Sequence, residues 1–141
     1  MVLNRTYLKL TLDLDFTLIA ITAPLRDYVL CHKINNQLGI ELERVEEHEV
    51  YLNADDAPLS FAKYSYYVED RELEFHILGN RNPEGFLVPE MARVDFFMII
   101  RDFIDEEDLD FVLAGLNKLP DIQVAARIDP RKLKSRENLV I

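Results

Sequence analysis

Four glycines among 141 residues leave no phosphate-cradling loop, since neither G-x-G-x-x-G nor G-x-x-x-x-G-K occurs. A single cysteine, Cys31, excludes an internal disulfide and any C-x-x-C redox or zinc pair, and it suits a reducing compartment. The three histidines build no H-E-x-x-H, and G-x-S-x-G is absent too. The longest apolar run, Phe96–Ile100, has five residues, against the roughly 18 that a membrane span requires. No basic stretch followed by an apolar core opens the chain, so no secretory signal and a cytoplasmic location are expected. Cations are the minority charge. The 16 lysines and arginines face 26 acids, and a net charge of −10 argues against a surface that neutralises nucleic-acid phosphates.

What is present is patterned for a core. Hydrophobic residues make up 49% of the chain, and the length fits one domain over residues 1–141. Leu8, Leu10, Leu12 and Leu14 alternate with polar residues from Tyr7 to Phe16, the period of a half-buried strand, and Phe16–Ile21 continues as a more buried one. Thr22 can cap a helix with Pro24 in its first turn. That helix should run to Leu38, with Leu30, Cys31, Ile34 and Leu38 inward and Gly39 as its left-handed stop. Glu41–Leu52 reads as an acidic edge strand and 53–58 as a loop. Residues 59–79 read as a hairpin turning at Glu69–Arg71, and 79–85 as a loop rich in turn formers.

The stretch Phe86–Ile100 organises the rest. Pro89 and Glu90 suit the start of a short helical turn, where proline's missing N–H costs nothing and an acid meets the positive end. From Val94 the composition becomes β-branched and aromatic, and Phe96–Ile100 reads as a strand buried on both faces, with Asp95 at its mouth. Asp105 then caps a second helix whose Leu109, Val112, Leu113 and Leu116 form one stripe, ended by Pro120. Ile122–Ile128 alternates as a last strand. The order gives an α+β fold: a mixed or antiparallel sheet with two helices on one face, on a ferredoxin-like plan with an extra hairpin. Residues 129–141 form a basic C-terminal segment docked on that fold.

Val88-Pro89-Glu90, three residues, then Val94-Asp95-Phe96 resembles the signature of the IPExxxVDY family, small bacterial proteins. Leu133-Lys134-Ser135-Arg136-Glu137-Asn138-Leu139-Val140-Ile141 is similar to that family's C-terminus. Valine stands in the isoleucine place and Phe96 in the tyrosine place, so any role for that phenol is absent. The resemblance implies a bacterial cytosolic protein and brings no catalytic residue or cofactor with it.

Three function classes follow. The first is a non-catalytic interaction or regulatory module with an unknown protein partner. The second is a small-ligand binder or enzyme built on the motif residues Pro89, Glu90, Arg93, Val94 and Asp95, with His76. Glu74 and His76 share a strand face as a base and its orienting acid would. The third is an RNA-associated protein using Arg131, Lys132, Lys134 and Arg136. Glu46-Glu47-His48-Glu49 reads as a solvated acidic face rather than a metal site, because strand neighbours point apart. Cys31 reads as a core residue, since His32 would point about 100° away on a helix. Two helices cover one face of the sheet, yet Phe96–Ile100 is apolar on both. A homodimer, helped by Tyr64, Tyr66 and Tyr67, is the expected shield, with the C-terminal segment as the monomeric alternative.

Overall fold

A computed structural model of the chain describes residues 14–51, 57–70 and 72–141. Most of the alternating stretch Tyr7–Phe16 and the tip residue Arg71 of the expected hairpin lie outside them. The elements in chain order are β1 (Thr17–Thr22), α1 (Asp27–Leu38), β2 (Glu43–Arg44), β3 (His48–Val50), β4 (Leu59–Phe61) and β5 (Lys63–Val68). They continue as β6 (Leu73–Gly79), β7 (Arg81–Asn82), β8 (Gly85–Phe86), β9 (Phe96–Arg101), α2 (Glu106–Lys118) and β10 (Val124–Ile128). Three 3₁₀ turns, Pro89–Met91, Pro130–Lys132 and Arg136–Leu139, complete the chain.

Six strands form one antiparallel sheet in the order β10-β1-β9-β6-β5-β2. The chain is thus an α+β protein with both helices on one side. Alternation assigns the faces. Ile19, Ile21, Phe75, Ile77, Met98 and Ile100 point to the helices and share a core with Leu30, Ile34, Leu109, Val112 and Leu116. Leu18, Leu78, Phe97 and Ile99 point the other way. β9 is central, and Phe96–Ile100 is buried on both faces because no polar residue interrupts it.

The helix ends show where local signals held. Asp105 caps α2, its Oδ1 accepting from the Asp108 N–H at 2.8 Å. Gly39 ends α1 at φ 69°, its N–H donating to the Asn35 carbonyl. Gly115 lets α1 and α2 approach closely, for a Cβ there would sit 2.6 Å from Leu38 Cδ2. The start of α1 differs from expectation. Thr22 is the last residue of β1, paired with Val124, and the helix begins at Asp27 behind Arg26. Ladder pairing outcompeted the cap, since Thr22 O accepts from Gln123 N at 2.8 Å. The expected edge strand 41–52 is likewise divided. β2 joins the main sheet, whereas β3 pairs with β4 in a separate ribbon.

The face away from the helices is filled from within the chain. Val50, Leu59 and Phe61 of the ribbon, Leu87 and Val88 before the 3₁₀ turn, and Leu133 and Leu139 near the C-terminus share one cluster with Leu18, Leu78, Phe97 and Ile99. The bare apolar face that called for a second copy is therefore absent among the described residues. Leu139 is fully buried, which stabilises the docked segment by about 1.5–3 kcal/mol from transfer alone. Leu139→Ala should lower unfolding stability by about 2–5 kcal/mol once the cavity is included. A denaturant midpoint equal to the parent's would mean that the segment rides on the surface.

Candidate functional site

The motif is held by a residue outside it. Asn80 follows the last residue of β6 and has no exposed surface. Its Nδ2 donates to the carbonyls of Met91 at 2.9 Å and Val94 at 2.7 Å, while its Oδ1 accepts from the Val88 N–H at 2.8 Å. Its backbone donates to the Asp95 carbonyl and accepts from the Leu87 N–H. One side chain thus closes the turn Val88–Val94 from inside. The turn follows the motif's local logic, with Pro89 first in the 3₁₀ segment and Val94 N donating to Met91 O.

The two motif acids point to different places. Glu90 reaches the C-terminal segment, where its Oε2 accepts from the Ser135 N–H at 2.7 Å and its Oε1 from Ser135 Oγ at 2.8 Å. Partial burial alone would raise its pKa. The N–H donors of Glu90's own backbone, Ser135 and Lys134, with the Ser135 hydroxyl, outweigh that and hold the carboxyl below its ordinary value. Asp95 turns to the opposite neighbour. Its Oδ2 accepts from the Ala23 N–H at 2.8 Å, fixing the exit of β1, and its Oδ1 pairs with Arg81 Nη2 at 2.9 Å. Arg81 also donates to the Ala92 carbonyl at 3.4 Å. Arg93 is exposed and makes no hydrogen bond or ion pair among the described residues. Val94 is buried in the second core.

His76 joins neither acid. It sits in the middle of β6, 2% exposed, opposite Ser65 on β5. Its Nδ1 lies 2.6 Å from Ser65 Oγ and its Nε2 lies 3.3 Å from Glu74 Oε1. A carboxylate only accepts, so Nε2 carries the proton and Nδ1 accepts from the serine. Burial pushes this imidazole below its ordinary value. Lys63 adds to the shift and Glu74 opposes it. The ring is therefore neutral at pH 7. Serine, histidine and glutamate stand in line here, but Ser65 is itself buried at mid-strand, so its hydroxyl offers no approach to a substrate.

The other flagged residues have structural neighbours. His48 Nε2 donates to the Asn138 carbonyl at 2.6 Å, tying the β3–β4 ribbon to the C-terminal segment. No three His, Cys, Asp or Glu side chains converge as metal ligands among the described residues. Burial, with Asp27 adding to it, pushes the Cys31 thiol up to about 12, far from a reactive thiolate. Arg131, Lys132, Lys134 and Arg136 are exposed, with Arg136 Nη1 donating to the Leu133 carbonyl. No helix among the described residues is long and apolar enough to cross a membrane. Asn80, Arg81, Ser65 and Ser135 were not singled out as site residues from the sequence. Asn80 and Arg81 sit in a run of turn formers, and nothing local distinguishes a buried asparagine from a solvated one.

A cleft of about 420 Å³ opens where β1, β6 and β9 end or begin, with Asp95 and Arg81 on its wall. No model of a known protein family matches the chain, and no curated protein matches it.

Asn80→Asp should destabilise at least as much as Asn80→Ala, each by on the order of 3 kcal/mol, because the Val94 carbonyl loses its donor, the Met91 carbonyl loses one of two, and a carboxylate supplies neither. A melting temperature for either variant matching the parent's would remove Asn80 from this role. For Glu90, the lowered folded-state pKa means that its contribution is complete above the unfolded-state value of 4.5 and disappears as pH falls through the lower folded value. Hydrogen exchange at the Ser135 amide, corrected for intrinsic rate, should accelerate on that acid side. In Glu90→Gln it should already be about three- to tenfold faster at pH 7. Equal protection in parent and variant would show that another group holds Ser135.

Proposed function

We propose that the protein is a non-catalytic binding module of the bacterial cytosol, related to the IPExxxVDY family, whose signature acids build the binding surface and do no chemistry. One observation carries this reading: both acids are already occupied. Glu90 spends both oxygens on Ser135, and Asp95 divides its oxygens between the Ala23 N–H and Arg81. A general base must aim a carboxylate oxygen at a substrate proton, and each of these oxygens is aimed at a protein donor. These two latch the C-terminal segment and the β1 exit instead. The buried Ser65–His76–Glu74 line supports the same reading, because it satisfies polar groups inside the sheet.

The partner class in this reading is protein. A second copy of the chain is one such partner, paired two-fold along β10. That strand ends the sheet among the described residues, and Val124 on it is 47% exposed. The RNA reading gains nothing comparable, since the net charge is −10.

The test is to incubate purified protein with a metabolite extract and follow every resonance by NMR, beside Glu90→Gln and Asp95→Asn. No compound should be consumed by the parent protein. A compound consumed by the parent and spared by Asp95→Asn, with both proteins folded, would overturn the reading in favour of an enzyme.

A further inference from the structure

We infer that the cleft beside Asp95 binds a small organic monocarboxylate through Arg81 and Arg26. The cleft's volume of about 420 Å³ lies within the usual range for small-molecule sites. Its apolar lining comes from Pro24, Leu25, Ala62 and Phe96, and its charged lining consists of two arginines and two aspartates.

The balance of unused hydrogen bonds decides the ligand's charge. Both acids are committed within the protein. Asp95 accepts from the Ala23 N–H and pairs with Arg81. Asp27 accepts from the Tyr28 N–H and lies 3.9 Å from Arg44. The cations are not committed to the same degree. Arg81 makes both of its contacts through Nη2, so Nη1 and Nε have no protein acceptor among the described residues. The Arg26 side chain has none there either. Asp95 therefore acts as a positioning group, holding one corner of the Arg81 guanidinium while its other N–H groups stay available. The Arg26 guanidinium keeps a whole planar fork, which matches a carboxylate in bidentate geometry, and Arg81 Nη1 adds a further donor on the cleft wall. Asp95 is paired with Arg81 and Asp27 lies by Arg44, which leaves Arg26 as the one cation over, so a monoanion is neutralised and a dianion would bring a charge with no cation left for it.

The cleft also has a bare floor. Gly79 ends β6 beside Ala62, and a Cβ on Gly79 would meet nothing nearer than the Ala62 Cβ at 3.8 Å, at an ordinary backbone conformation. Packing alone would tolerate a larger residue there. The glycine keeps open the space against Phe96 in which an apolar ligand body fits. One bidentate contact and a small apolar body correspond to a Kd on the order of 10–1000 µM. This inference rests on the non-catalytic reading only in holding that the ligand leaves unchanged.

The experiment titrates ¹⁵N-labelled protein with benzoate and with 3-methylbutyrate, and in separate samples with inorganic phosphate and methylammonium. The two carboxylates should give saturable shifts at the amides of Leu25, Arg26, Gly79 and Arg81. Phosphate and methylammonium should give none that saturate. Affinity should fall at least tenfold in Arg26→Gln and several-fold in Arg81→Gln. It should vanish in Gly79→Val at an unchanged melting temperature, which keeps the test valid if Arg81→Gln loosens the fold. Carboxylate shifts that survive Gly79→Val, or saturation by phosphate or methylammonium alone, would overturn the assignment. Chemical change in a bound carboxylate would leave the site in place and overturn the non-catalytic reading instead.

Discussion

A single buried amide, that of Asn80, is the constraint on which the motif end of the molecule depends. The turn from Val88 to Val94 has only one 3₁₀ turn, Pro89–Met91, to absorb its backbone groups, yet it lies against a closed core. Its Val88 N–H and its Val94 carbonyl need partners without water, and the Met91 carbonyl has a second lone pair beyond the one that takes the Val94 N–H. Asn80 offers two donors and one acceptor on one plane, and it uses all three there. Aspartate has no donor, and glutamine is one methylene too long for a site this closely packed. Because Asn80 follows β6 directly, the same bonds fix where β9 enters the sheet, and so where Asp95 stands. Arg81, the next residue, then falls beside Asp95 at the surface.

The second consequence comes from β9, which is apolar on both sides and so needs cover on both. On one side two helices supply it, carrying their own backbone hydrogen bonds. On the other the cover is a short ribbon, a turn and a C-terminal segment with little regular structure. Such segments satisfy their backbones through side chains, and the perimeter shows it. His48 takes the Asn138 carbonyl, Asn138 donates to the Leu87 carbonyl, Arg101 donates to the Ile141 carbonyl, and Glu90 holds Ser135. Of the motif's acids, Glu90 is thus part of the fastening of the second layer, while Asp95 holds the exit of β1. With both acids held in this way, the polar capacity left over near the motif is cationic, on Arg81 and Arg26.

Several features were legible from local chemistry alone. The five-residue run in β9, the Leu109–Val112–Leu116 stripe, the Asp105 cap and the Gly39 stop each reflect an interaction within a few residues, and each stands where the pattern put it. The start of α1 was not legible. Thr22 is a good cap by type, but it was taken by a strand partner about a hundred residues away. Glu41–Leu52 was not legible either, since one polar stretch serves two sheets and its own sequence does not say where it changes allegiance.

The candidate site shows the same division most sharply. The sequence by itself determined that an acid would stand at the mouth of the driest strand, because the change of composition at Val94–Asp95–Phe96 is local. It did not determine that acid's partner. Arg93 is two residues away and Arg81 is fourteen, and the nearer one is exposed and unpaired among the described residues. The choice was made by the antiparallel pairing of β6 with β9, which sets Gly79 opposite Phe96 and brings the residues after Gly79 alongside those before Phe96. Periodicity and capping act over one or two turns of chain and can be read from it. Which charges meet depends on strand order and register, and those come from burying both faces of one strand at once.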